Sequence, residues 1–491
     1  MCFRAKNIAI LLLLPVFLVF HGCTNHFMLQ IFGVFDSDFI PVTDIDSLAA
    51  IPLEQQNIPL SQIGKAVPYN ATIREIKWTV EASDGTCGVN ISGNTITATS
   101  AGSIVLKATI SNGKGKYNDF IKYCPITIGT VPAIFTGPTD PRWLVYDETT
   151  LKKVGSDGTS GSWSLNSHYL QTDNIILPSG TGNFTPIGFG SPTFPFSGSY
   201  TVNKYRNSAN EKIYYTITGM KMNNPSNSYQ GMFAQISGNG KVEGITLIGS
   251  EISGDEHIGG IAGTNSGNIT WCAVSGIISG VNCVGGITGD NISNGIITAC
   301  YTAGIVKGEN YIGGMAGINF SGDTQITNCY SLSDVEGTGA YYAGGVAGQN
   351  NGTIELCYSA GGVKGNEYVG GIAGLSNNTI SKCMALNKYI EITTGLNIGR
   401  IVGNNSSLYD NCGYEKIPKV GNNASWLASS TGPNGEHITA QELMNLRQAS
   451  SAIYLAFLSS FWAFPWEYSI GRLPGLIYFG NTVPMPEHLK K

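Results

Sequence analysis

Three stretches of this chain say nearly the same thing. Residues 283–308 read "CVGGITGDNISNGIITACYTAGIVKG", residues 311–337 "YIGGMAGINFSGDTQITNCYSLSDVEG", and residues 342–365 "YAGGVAGQNNGTIELCYSAGGVKG". The second glycine of each unit falls at Gly231, Gly260, Gly286, Gly314, Gly345 and Gly371. A second series is Ile245, Cys272, Cys300, Cys329, Cys357, Cys383 and Cys412, at intervals of 27, 28, 29, 28, 26 and 29. A third is Asn265, Asn291, Asn319, Asn350 and Asn405, with Ser376 standing in once. The series keep step while insertions vary between them. Helical repeats of this length would need good helix formers at 3.6-residue spacing. Here the units hold glycine, β-branched residues and tyrosine. They are predicted to be coils of a parallel β-helix, stacked about 4.8 Å apart like strands in a sheet.

In such a stack one repeat position occupies one place in space, coil after coil. Glycine is expected where the backbone bends too sharply for a Cβ. Asparagine is expected at a turn, its amide bonding to that of the next coil. Cysteine is expected at an inner corner as a small apolar residue. The six cysteines of the series are predicted to stay reduced, because side chains at equivalent positions project in parallel and keep their Cβ atoms too far apart. Tyr301, Tyr330 and Tyr358 follow the cysteines directly. Tyr311, Tyr342 and Tyr368 sit two residues before the glycine pairs. Strand alternation puts the first set outward, and the second set is read the same way. Either column would stack on a sugar ring, dock a protein, brace the sheet or support a covering loop. Asp at Cys329 is expected to unfold the repeats, and Asp at Thr324, read as a turn residue, to be tolerated.

The units resemble the GLUG motif, as "GIAG" at 260–263, "GITG" at 286–289, "GMAG" at 314–317, "GVAG" at 345–348 and "GIAG" at 371–374. A sixth copy decays to "GRIVG" at 399–403, where Arg400 replaces glycine. The resemblance runs over roughly 140–415. The predicted fold class is all-β, with the β-helix at 131–420. At 421–491, "TAQELMNLRQASSAIYLAFL" has helical spacing, and this region is read as a partly helical cap over the open end.

Residues 39–130 differ. "NISGNTITATSAGSIVLKATI" reads as three short strands with glycine turns, and Ile76, Trp78 and Val80 alternate with polar residues. "NATIREIKW", "ISGNTITATSAG" and "ATISNG" resemble bacterial Ig-like domains, which implies a small β-sandwich acting as a spacer. Cys87 and Cys124 are either a disulfide or two separately buried thiols. Ahead of this domain, Arg4 and Lys6 precede the apolar run Ile8–Phe20, and "VFHGC" ends at Cys23. This resembles a signal peptide (1–22) with a lipobox, followed by a tether (23–38). It implies export, lipidation of Cys23 and anchoring in the outer membrane of a Gram-negative bacterium. Which side of that membrane the protein faces is left open.

The chemistry-bearing residues are sparse. None of His21, His26, His168, His257, His437 and His488 sits in H-E-x-x-H. The cysteines lack the close-pair spacing of zinc sites, and no metal or cofactor is expected. Asp255, Glu256, Asp323, Asp334 and Glu336 are read as solvated acids. With a net charge of −5 and no basic patch, nucleic acid is not an expected partner. The expectation is a non-catalytic envelope lipoprotein presenting a β-helix for adhesion to glycans or host surfaces. The alternative is a β-helix lyase or hydrolase acting on polysaccharide.

Overall fold

The structure, a computed structural model, describes residues 39–490 except 84, 132–139, 191–193, 207–211, 340, 405–406, 422–425, 427–431, 445–465, 468–471 and 480–482. The expected signal peptide, Cys23, the tether, Asn405 and most of the expected C-terminal helix lie outside the described residues. The fold is mostly β, a solenoid of about 10 turns, with three short α-helices among the described residues.

One coil visits four parallel sheets in turn. After Asn268–Thr270 in sheet 1 come Ala273–Ser279 in sheet 2, Asn282–Gly285 in sheet 3 and Thr288–Asn291 in sheet 4. The chain then re-enters sheet 1 at Ile296–Thr298. Sheets 1 to 4 hold ten, fifteen, six and seven strands respectively. Register is kept by identity: Ile269 pairs with Ile297, Ile297 with Ile326, and Ile326 with Ile354. All four are fully buried. Each such side chain stabilises by roughly 1.5–3 kcal/mol relative to exposure, so the repeat spreads its stability evenly along the stack.

Two corners explain two of the repeat series. Between sheets 3 and 4 the backbones close to touching distance. A Cβ on Gly314 would stand 2.1 Å from the Gly345 oxygen, which no side chain allows. Between sheets 1 and 2 the residue before each cysteine is left-handed. Cys412 is the exception that corrects its expected place in this series: Asn411 reaches the corner one residue earlier, accepts the Cys383 amide at 2.9 Å, and leaves Cys412 paired with Met384. Trp271, Ala299, Asn328, Leu356 and Lys382, and Asp410 before Asn411, have φ of 52–56°. This is a conformation that costs a non-glycine residue about 1 kcal/mol or more. The turn drives the following cysteine inward. Each thiol then finds a carbonyl, as Cys329 Sγ does with Thr327 O at 3.1 Å. Its sulfur accepts the amide of the coil before, Cys300 N–H to Cys329 Sγ at 3.4 Å. The corner therefore selects cysteine for its weak donor and acceptor as well as for its size. Burial raises the Cys300, Cys329, Cys357 and Cys383 thiols well above their ordinary pKa.

The other corner, after sheet 4, carries the asparagines. Asn265 Nδ2 donates to Asn291 Oδ1 at 2.8 Å, Asn291 to Asn319 at 2.9 Å, and Asn319 to Asn350 at 2.8 Å. Asn350 ends on Ser376 Oγ. All are buried. Arg400 shows why the last glycine is dispensable. Above it lies residue run 432–436 instead of another coil. The buried guanidinium donates to the carbonyls of Asn434, Gly413 and Gly435, each at 2.9 Å. A side chain fills the space that a further coil would have taken.

The N-terminal region has a core of its own. A four-stranded sheet including Lys77–Ser83, Gly102–Ile110 and Phe120–Gly129 and a three-stranded sheet around Asn90–Ser92 and Thr95–Thr97 share it. Trp78 is buried but Val80 is 40% exposed, so the expected alternation holds only at the tryptophan. Cys87 and Cys124 are separate buried thiols. Leu144 and Leu170 of the first coils join this core, and Gln55 Nε2 bonds Leu144 O at 3.0 Å.

The C-terminal region does more than cover the end of the stack. Its described parts include the helix Ala440–Met444, then segments that run back along sheet 2. Trp466 lies on Tyr330 and Tyr358, and Phe479 on Tyr214, Trp271 and Tyr301. His488 Nε2 bonds Leu386 O at 2.8 Å. The region is a strap along the side as well as a lid on the end.

Candidate functional site

The two tyrosine columns have different fates. Tyr301, Tyr330 and Tyr358 stack at 4.9 and 5.0 Å with their planes 4° apart. They project from sheet 2, yet they are not a free surface. Tyr330 is 3% and Tyr358 0% exposed, and Tyr358 Oη donates to Pro474 O of the strap at 2.7 Å. The expectation that this column faces solvent is corrected: the strap covers it. The cause is apolar area. A strand face of aromatic rings is stable only when something removes it from water.

Tyr311, Tyr342 and Tyr368 also stack, at 4.9 and 5.0 Å with planes 10° and 18° apart. These three are half-buried, and the ring contacts of Trp466 and Phe479 fall on the other column instead. Their faces are occupied by one another, so they offer solvent their edges and hydroxyls.

Followed in register, this column is longer than its tyrosines. It continues backward through Cys283 and His257 to Tyr229. Tyr229 and His257 stack at 4.8 Å, and Tyr229, His257, Cys283 and Tyr311 are left-handed, with φ from 51° to 58°. Beside the Tyr229–His257 end lies a cleft of about 940 Å³, lined among others by Gln235, Thr264, Asp290 and Phe320. Phe320 is 55% exposed.

Beside this cleft lies a cluster that the coil period does not mark. The His257 side-chain nitrogen, Cys283 Sγ and an Asp290 carboxylate oxygen all lie within 4.8 Å of one another. His257 Nδ1 is 2.8 Å from Asp290 Oδ2. Burial disfavours the His257 imidazolium, but Asp290 and Glu256 outweigh it and raise the His257 pKa. Burial pushes the Cys283 thiol up, and the Asp290 charge adds to this. Cys283 is therefore a protonated thiol, not a ready nucleophile. The signal for finding this group lay in the repeat itself. Cys283 is off the periodic cysteine series, standing where neighbouring coils carry Tyr311 and His257. Asp290 stands where they carry Thr264 and Ile318.

The acids weighed for catalysis are engaged elsewhere. Asp334 accepts Gly362 N–H at 2.7 Å, and Glu336 meets Lys307 at 3.0 Å. Thr324, expected to be an open turn residue, is fully buried and donates to Ser321 O at 2.6 Å, which corrects its expected tolerance of Asp.

Halomucin of Haloquadratum walsbyi is 29% identical to this chain over 169 residues. That covers 33% of this chain and 2% of halomucin, so the chain spans only a small part of that relative. No protein-family model matches the chain, and no solved structure matches it. The likeness fits a repeat protein.

Proposed function

We propose that this protein is a non-catalytic GLUG-type surface β-helix whose open tyrosine column binds glycan. The supporting observation is the contrast between two regular columns: Trp466, Phe479 and Pro474 pack on one and bury Tyr330 and Tyr358, while all three rings of Tyr311–Tyr342–Tyr368 are half-exposed. Ring faces used up by stacking do not take a sugar face. A row of phenol hydroxyls at coil pitch instead suits hydrogen bonding to a hydroxyl-rich polymer, with the ring edges supplying apolar contact. The partial match to a protein named as a mucin is compatible with a surface-binding role. Export and a lipid anchor at Cys23 in a Gram-negative outer membrane belong to this reading, with the Ig-like region as spacer. Labelled palmitate should enter the full chain and be lost in Cys23→Ala.

The test of binding is retention on a panel of immobilised glycans. Replacing Tyr311, Tyr342 and Tyr368 together with Ser should abolish retention while leaving the circular dichroism spectrum unchanged. The same three changed to Phe should keep the stack but lose most of the retention. Full retention by the Ser triple variant would sink the proposal.

A further inference from the structure

We propose that His257, Cys283 and Asp290 bind one divalent transition ion of the zinc class, with its remaining coordination positions open to the adjoining cleft. This inference is independent of the glycan-binding reading. Its first support is the donor set. Imidazole nitrogen, thiolate sulfur and carboxylate oxygen are the three protein ligands zinc takes, and three ligands plus open positions define a site that is not purely structural. The second support is an unmet requirement. The Asp290 side chain is only 8% exposed, and its Oδ1 has no hydrogen-bond partner. His257 Nδ1 is paired with Asp290 Oδ2 at 2.8 Å, so the atom left over is Asp290 Oδ1. Buried polar atoms are seldom left so, and each costs about 1–3 kcal/mol. An ion held between the three residues satisfies that oxygen.

The third support is the repeat. Between the rings of His257 and Tyr311 in this column, one coil places Cys283. In the same coil, the neighbouring strand substitutes Asp290 for Thr264 or Ile318. The two departures meet each other and His257 of the coil before. Neither serves the stack: Cys283 interrupts the ring column, and Asp290 places a charge on a buried position.

The geometry needs only a small adjustment. Ligand atoms around tetrahedral zinc stand roughly 3.3–3.8 Å apart, given bonds of about 2.0–2.3 Å. The three atoms here lie within 4.8 Å, with His257 and Asp290 closer than the ideal. Rotating the Asp290 carboxylate to offer Oδ1 opens that pair. Binding replaces the thiol proton of Cys283 by the metal and takes His257 in its neutral form, and the protons released leave to solvent. His257 and Asp290 both line the cleft, which gives the ion its entry path.

The test uses the full chain, stripped with a chelator and titrated with Zn²⁺ alone against a chromogenic competitor. One equivalent should bind tightly. Cys283→Tyr and Asp290→Thr install residues found at these positions in neighbouring coils, so both should fold, as circular dichroism will check. Each should weaken zinc at least about 100-fold, more than the loss of a supporting residue around a metal. With Co²⁺ in place of Zn²⁺, the near-ultraviolet thiolate-to-cobalt band should appear in the wild type and in Cys87→Ser, and vanish in Cys283→Tyr. Equal zinc affinity in the wild type and Cys283→Tyr would overturn the proposal, as would a wild type without the cobalt–thiolate band. Unchanged affinity in Asp290→Thr would overturn the three-ligand site.

Discussion

Two columns of three tyrosines run up this solenoid, with the same pitch and nearly the same ring geometry, and they end in opposite environments. The sheet 2 column is sealed beneath Trp466, Phe479 and Pro474. The column at the sheet 3 edge is left half-open. Regular spacing in a repeat therefore reports geometry alone. It says that side chains stack, and nothing about whether solvent reaches them. What separates the columns is a segment more than 100 residues away in sequence, outside the repeat and without its period. The covered column belongs to the core, whereas the open one is surface available for work.

The comparison assumes that both columns hang from one scaffold, and the strongest way to break it is to attack that scaffold. Cys329 precedes Tyr330, faces inward and is fully buried. Cys329→Asp places a carboxylate where a sulfur now accepts the Cys300 amide. The charge must be desolvated or protonated. The expected loss exceeds about 4 kcal/mol, enough to unfold the repeat region. Gln325→Asp, four residues earlier on an exposed position, should cost under about 0.5 kcal/mol. Chemical denaturation of the two variants checks this, and similar midpoints would show that Cys329 is not part of the inner wall.

A smaller perturbation compares the columns directly. Tyr358→Ala empties a fully enclosed site beneath Trp466 and removes the bond to Pro474 O. It should destabilise by about 3–5 kcal/mol. Tyr342→Ala removes a half-exposed ring from the middle of the open stack, at a cost of about 0.5–1.5 kcal/mol from lost aromatic pairing. If Tyr342→Ala cost as much as Tyr358→Ala, the open column would be architectural too, and the functional distinction would fall.

The legible part of this molecule was whatever the coil period controls. The glycine pairs, the inward cysteines and the asparagine ladder each follow from one position being one place in space. The burial of Thr324 is not legible, because its neighbour Asp323 marks a turn while its own side chain folds back onto Ser321 O. The covering strap was not legible, because "FWAFPWEYSIGRLPGL" carries apolar residues without any period to say which face they seek. The His257–Cys283–Asp290 group was hidden for the opposite reason. Its residues lie inside the repeat, where the eye follows what recurs. Cys283 and Asp290 matter because they do not recur, and that signal appears only after the coils are aligned by register.

The finest test of the comparison is alkaline titration. Burial raises the Tyr330 and Tyr358 hydroxyls well above 10, with a further push from the neighbouring tyrosine. Tyr342 is also raised, by burial first and then by its neighbours, but less strongly. In the unfolded chain a tyrosine titrates near 10. A raised folded pKa means that the folded state holds its proton more tightly. The associated stabilisation is therefore complete below about pH 10 and is lost as pH climbs from there through the folded value. Tyr330→Phe with Tyr358→Phe keeps the stack and removes this dependence. At pH 7 the pair of changes should cost only about 1 kcal/mol, the bond to Pro474 O being lost. Above pH 10 the wild type should lose stability faster than the double variant, so the gap should narrow. Tyr342→Phe should flatten the alkaline limb much less, since water already reaches that residue. Denaturant midpoints at pH 7, 10 and 11 decide it. A gap that stays constant from pH 7 to 11 would mean that the hydroxyls under the strap reach solvent as readily as those outside it.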